Sequence, residues 1–219
     1  RLSLVGSEMC IRDSLYCARK GRARKAQRIA AAHGRGTPPD RQNGSAAGMP
    51  GGRAEGKGVK AMVTIRQAVT RRDLVRFMEF PNRLYRGNPY YVPDMLDSQV
   101  KDMLRDRNPA FEYCDAKCFL ALRDGKIVGR IACILNRRAN EKFGKEYLNI
   151  SHIDFIDDDE VVDALFDAAE AWARELGCVA VHGPLGFSDM DREGMLIQGF
   201  DKPSLFYTYY NHPYYVAQM

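Results

Sequence analysis

Asp124-Gly125 stands between two apolar runs, Lys117-Cys118-Phe119-Leu120-Ala121-Leu122-Arg123 and Lys126-Ile127-Val128-Gly129-Arg130-Ile131-Ala132-Cys133-Ile134-Leu135. A two-residue type I′ turn needs positive φ at both of its positions, and Asp-Gly supplies them at low cost. The segment therefore predicts an antiparallel hairpin at the centre of the chain.

The flanking elements follow from periodicity and punctuation. Residues 62–69 alternate and predict an opening strand. Thr70 with Asp73 three later resembles a capping box, so a helix follows through Leu74, Phe77 and Met78, and Pro81 should end or kink it. An aromatic turn at residues 88–93 precedes a helix over 94–104, which Asn108-Pro109 stops. Residues 147–156 predict another strand. Val161, Leu165, Ala168, Ala169, Trp172 and Leu176 then recur at helical spacing, with Asp157 or Asp158 as cap and Gly177 at the C′ position. A strand over 178–181 follows. The order is strand, helices, hairpin, strand, helix, strand.

That last strand empties into residues 182–201, His182-Gly183-Pro184-Leu185-Gly186-Phe187-Ser188-Asp189-Met190-Asp191-Arg192-Glu193-Gly194-Met195-Leu196-Ile197-Gln198-Gly199-Phe200-Asp201. Glycines and a proline shape this loop, while its apolar residues need a core to pack on. Such loops carry binding and catalytic groups on rigid scaffolds. Asp189, Asp191 and Glu193 are candidate general bases for an amine, with His182 as partner. The structural reading is that Asp189 and Ser188 satisfy turn backbone groups while Arg192 pairs with a neighbouring acid.

Composition breaks at Met62. Residues 1–61 hold 13 Lys+Arg against 4 Asp+Glu, a net +9, whereas the remainder holds 20 against 24, a net −4. A basic nucleic-acid-binding arm is one reading of the first part. Residues 4–14, however, resemble the translation of a transposon-end adapter used in sequencing libraries. Glu55-Gly56-Lys57-Gly58 can also be encoded by a purine-rich stretch suiting a ribosome-binding site ahead of Met62. The expectation is disordered read-through over 1–61 and one domain over 62–219, with no nucleic-acid partner. No apolar run reaches the roughly 18–20 residues of a membrane span. Cys114, Cys118, Cys133 and Cys178 lack structural-zinc spacing. A reduced, cytoplasmic protein without metal is expected, and its oligomeric state stays open.

The element order around residues 124–132 looks like the GNAT N-acyltransferase fold. Asn108-Pro109-Ala110-Phe111, Phe155-Ile156-Asp157-Asp158, His182-Gly183-Pro184, residues 194–201 and Tyr210-Asn211-His212-Pro213-Tyr214-Tyr215 together resemble the YghO-like bacterial group of that superfamily. The resemblance implies a mixed α/β (α+β) fold with a mainly antiparallel central sheet flanked by helices. It also implies transfer of acetyl from acetyl-CoA to a primary amine of a small molecule. Pantetheine would run along a splayed strand, here residues 151–156, with Ile153, Phe155, Ile156 and Asn211 as cofactor contacts. A carboxylate (Glu193 or Asp189) and His182 would act on the amine, and Tyr215 would protonate the leaving thiolate.

One part of the pattern departs. A GNAT pyrophosphate sits on glycine-flanked N–H groups at the next helix start, where this chain has Asp157-Asp158-Asp159-Glu160. These acids suit the helix dipole. They oppose a phosphate, since one carboxylate about 8 Å away costs roughly 2 kcal/mol at an effective dielectric near 20. The rival reading is a degenerate, non-catalytic GNAT-like module that binds a small ligand or supports a second catalytic module. The chain also stops at Val216-Ala217-Gln218-Met219, inside an expected helix, which predicts a C-terminally incomplete reading frame.

Overall fold

The computed structural model describes residues 61–204 and 208–219. The adapter-like and basic stretch over residues 1–60 lies outside the described residues. Five strands form one sheet in sequence order: β1 (Thr64–Gln67), β2 (Cys114–Arg123), β3 (Lys126–Asn136), β4 (Tyr147–Phe155) and β5 (Ala180–His182). The first four pair antiparallel, and β5 joins β4 in parallel. The mixed, mainly antiparallel sheet expected from the sequence is the sheet observed.

The hairpin turns at Asp124 (φ 50°) and Gly125 (φ 70°), with Arg123 opposite Lys126. Helix α1 (Arg71–Leu84) opens on the reciprocal Thr70–Asp73 capping box. It does not end at Pro81, and the reason is tertiary. Proline has no N–H for the carbonyl four residues back, and that carbonyl, of Phe77, accepts instead from Arg130 Nη1 at 2.9 Å. Helix α2 (Leu96–Asp102) is shorter than expected. A short helix unforeseen in the sequence, α3 (Arg137–Phe143), follows β3, capped by Asn136 and closed by left-handed Gly144.

Helix α4 (Asp159–Glu175) is capped by Asp158 and followed by Gly177 at φ 73°, as its sequence predicts. Its apolar face covers one side of the sheet through Val161, Leu165, Ala169 and Trp172, against Ile131, Cys133, Leu148 and Phe155. Helices α1 and α2 cover the other side, where Phe77, Met78 and Val100 meet Cys118, Leu120, Ala132 and Ile134. Burial pushes the Cys114 and Cys118 thiols up to about 11 and about 12. Among the described residues, no helix is long and apolar enough to cross a membrane. The chain ends in α5 (Tyr215–Gln218).

Gly129 lets α4 lie close on the sheet. A Cβ there would stand 2.8 Å from Val161 Cγ1 and 2.9 Å from Leu165 Cδ1. Gly129→Ala should therefore cost about 1–3 kcal/mol by overpacking, read as a lower urea midpoint with unchanged slope. An unaltered midpoint would mean that α4 shifts outward without penalty.

Candidate functional site

Strand β4 carries the irregularity that shapes the site. Arg130 faces Asp154 and Ala132 faces Ser151, so Ile131 is opposed by two residues, His152 and Ile153. This is a β-bulge, with His152 at φ 46°. The extra residue puts neighbouring polar side chains on the α1/α2 side. His152 Nε2 lies 3.0 Å from Gln99 Oε1 of α2, and its ring is 6.3 Å from Phe77 of α1. Ile153 returns to the α4-side core, and Asp154 points back towards Arg130.

A directed chain of hydrogen bonds results. Gln99 Oε1 only accepts, so His152 Nε2 carries the proton and Nδ1 accepts from the Ser151 hydroxyl, 3.1 Å away. Ser151 Oγ can then accept from Tyr209 OH at 3.1 Å. Burial, with the charges of Arg130 and Arg192, lowers the His152 pKa from 6.5 to about 3. The unfolded chain takes up this proton near its ordinary pKa, the folded chain only at the depressed one. Stability from this residue is therefore complete above about pH 6.5 and falls by about 1.4 kcal/mol per pH unit below it. Unfolding free energies measured from about pH 7 to about pH 5 should show that slope, and His152→Gln should remove about one proton's worth of it. An unchanged slope in the variant would refute the assignment.

Beneath the bulge lies a buried ion pair. Arg130 and Asp154 are 5% and 6% exposed, and Asp154 Oδ2 accepts from Arg130 Nε at 2.7 Å and lies 2.7 Å from Nη2. Asp154 Oδ1 accepts from Tyr85 OH at 2.7 Å, and Tyr85 OH lies 3.1 Å from Tyr215 OH. Burial raises both tyrosines well above their ordinary pKa, so they remain protonated donors.

The 182–201 loop is held down along its length. Leu185 N donates to Ile150 O at 2.7 Å, and Asn149 and Asn136 side-chain amides donate to Gly186 O and Phe187 O. The turn is satisfied by Asp191 rather than Asp189: Asp191 Oδ2 accepts from Phe187 N and Ser188 N, and Ser188 Oγ accepts from Met190 N. Arg192 pairs with an acid, Asp94, ahead of α2 and 98 residues away, through contacts of 2.8 and 2.5 Å. Asn211 clamps the loop's far arm, accepting from Leu196 N at 2.7 Å and donating to Leu196 O at 3.0 Å.

The four residues expected to act on the amine and thiolate do not hydrogen-bond to one another. Asp189 is exposed at the loop tip, and Glu193 is half-buried. His182 lies 3.4 Å from Asn149 Oδ1, with burial and Lys145 lowering its pKa. Tyr215 is 1% exposed, stacked on Phe155 at 4.1 Å. Arg130, Asp154, Ser151, His152 and Gln99 were not singled out from the sequence. The available signal was a charged residue in each of two apolar strands, but only the pairing register joins them.

At the expected cofactor strand, the main-chain groups are already engaged. Phe155 N donates to Tyr215 OH at 2.8 Å, and Phe155 O accepts from Tyr214 OH at 2.6 Å. Ile153 and Ile156 pack on the α4-side core, and Ile156 N donates to Val128 O. Asn211 serves the loop. At the helix start, Glu160 N is taken by the Asp158 side chain, and Arg123 pairs with Asp158 and Glu160. Gln218 Nε2 donates to Asp157 at 2.8 Å and lies 3.3 Å from Asp159. Arg123 thus offsets part of the acidic charge, but the cluster serves the helix. These residues do not fit pantetheine and pyrophosphate in this arrangement.

No family model matches the chain. It is 32% identical over 155 residues to Protein YghO of Escherichia coli K12, a match spanning 71% of this chain and 40% of that protein. It is 31% identical over 134 residues to a bacterial ceramide synthase of Caulobacter vibrioides, spanning 61% of this chain and 35% of that protein. The chain thus spans 40% or less of the length of these curated relatives. Among solved structures, it is similar to a soil-metagenome aminoglycoside acetyltransferase in complex with sisomicin. That likeness has a TM-score of 0.38 and 18% identity, covering 55% of this chain and 75% of the other.

Proposed function

We propose that this domain is the acceptor-side module of a GNAT-type N-acyltransferase, which forms an amide by passing an acyl group from a thioester to an amine. The observation that carries the reading is the bulged end of β4. There His152 meets Gln99 of α2 and Ser151 meets Tyr209, over whose ring Arg192 lies at 5.9 Å, while the strand edge a thioester would use is engaged by Tyr214 and Tyr215. Chain beyond the matched stretch, which both relatives possess, would then hold the acyl-CoA, acetyl-CoA being the simplest donor.

Similarity to a bacterial ceramide synthase supports the bond type, since a ceramide is the amide of a long-chain amino alcohol and a fatty acid. In this reading Glu193 and Asp189 are the carboxylates available to take the amine's proton. His182 and Tyr215 are positioning residues, Tyr215 by fixing Phe155.

A second reading is a self-sufficient acyltransferase in which the Tyr214-Tyr215 segment withdraws to admit the thioester. One observation favours it: the two hydroxyls occupy a main-chain donor and acceptor at the cofactor strand implied by the resemblance. Calorimetry on the 219-residue chain separates the two. The acceptor-side reading expects saturable binding of an alkyl primary amine and none of acetyl-CoA. Saturable acetyl-CoA binding, with thiol release on adding the amine, would establish the second reading.

A further inference from the structure

The solvent side of α1 carries a row of arginines. Arg72, Arg76 and Arg83 recur with Glu79 at steps of four, three and four, which aligns them on one face of a helix. Arg71 and Arg86 flank the row, and all five guanidinium groups are exposed. Among the described residues, none of the five pairs with a carboxylate. Asp73, the other acid of α1, is taken by Thr70 and Arg66. The layer across the sheet has the opposite sign: residues 157–175, which cap and form α4, hold eight carboxylates and one arginine. Because α1 and α4 cover opposite sides of the sheet, a domain of net −4 still presents one positive face.

The loops on that side add exposed aliphatic side chains. Val92 and Met95, 60% and 79% exposed, stand on the segment joining α1 to α2, which Tyr91 fastens to Asn82 of α1 at 2.8 Å. Met190, 74% exposed, stands on the 182–201 loop, whose Phe187 packs in the α1/α2-side core and whose Arg192 pairs with Asp94. Guanidinium groups match phosphate bidentately, and α1 uses arginine throughout with no lysine. Aliphatic groups beside such cations gain by entering the boundary between lipid headgroups and acyl chains. A nucleic acid would use the arginines but not the aliphatics, since bases stack on aromatic rings. We infer that this face docks on the surface of a bilayer containing anionic phospholipid. The arginine row meets the lipid phosphates, Val92, Met95 and Met190 enter the interface, and α4 faces water. The chain lies on the bilayer without spanning it, and this docking holds whichever thioester reading is right.

Cosedimentation of the whole chain with vesicles is the test. Vesicles of phosphatidylglycerol and phosphatidylcholine in equal parts should bind it, phosphatidylcholine alone should not, and added salt should weaken binding. Each arginine near an anionic surface is worth about fivefold in partitioning. Arg76→Gln with Arg83→Gln, both at exposed positions, should therefore weaken binding by at least about tenfold. Residues 1–61 are also basic, at net +9, so the docking face is read separately. A tryptophan introduced by Met95→Trp should be quenched by lipids brominated on their acyl chains, whereas one introduced by Arg174→Trp on α4 should not. Failure to bind the anionic vesicles overturns the docking face. So does unchanged affinity in the double variant, or quenching that is absent at position 95 or equal at the two positions. Tighter binding of duplex DNA than of vesicles, lost in the double variant, assigns the arginines to a nucleic acid and also overturns it.

Discussion

Replacing Asp154 by alanine is expected to lower the unfolding free energy by about 3–5 kcal/mol, the cost of leaving one member of a buried pair uncompensated. Arg130 would keep its charge at 5% exposure with its carboxylate partner gone, and Tyr85 would lose its acceptor. The double change Arg130→Met with Asp154→Leu removes both charges and should cost less. Its residual penalty, about 1–3 kcal/mol, comes from the Phe77 carbonyl that Pro81 cannot satisfy and Arg130 no longer would. Urea unfolding at neutral pH measures both. A single variant no worse than the double would show that the guanidinium reaches water when its partner is removed.

The second large effect is at Gly183. Its φ of 147° is open to glycine and strained for other residues, and a Cβ would stand 2.4 Å from Ile150 O and 2.8 Å from Leu185 N. Gly183→Ala must displace the Leu185–Ile150 hydrogen bond that seats the loop beside β4. Strain of about 1–3 kcal/mol and a lost hydrogen bond of about 1 kcal/mol give an expected loss of about 3 kcal/mol in chemical unfolding. Loop release should also expose Phe187, which is 7% exposed and packs edge-on against Phe111. Faster proteolysis within residues 183–194 would report that release. A variant equal to the unmodified chain in both assays would mean the loop can pivot without cost.

These two sites differ in how far the sequence announces them. The His182-Gly183-Pro184 step is legible as a turn out of a strand, because glycine and proline act on their own dihedrals. Which carboxylate fastens the loop is not. Asp191 and Asp189 are equivalent by type and spacing, and only the folded path of the chain brings Asp191 to Phe187 N and Ser188 N. The Arg130–Asp154 pair is harder still, since each residue alone reads only as a charge within an apolar strand. The bulge at His152 sets the pairing that buries them.

Local chemistry was enough for the parts whose interactions close within a few residues. Asp124-Gly125 sets the hairpin, Thr70 and Asp73 start α1, and Asp158 and Gly177 bound α4, each through a main-chain conformation or cap that near neighbours complete. Tertiary structure alone decided the rest. It carried α1 through Pro81 by supplying a guanidinium from β3, seated Tyr214 and Tyr215 on a strand about 60 residues earlier, and joined Arg192 to Asp94. The physical reason is the same in each case: a buried polar group must find a partner, and where that partner is distant in sequence only the packed chain can provide it.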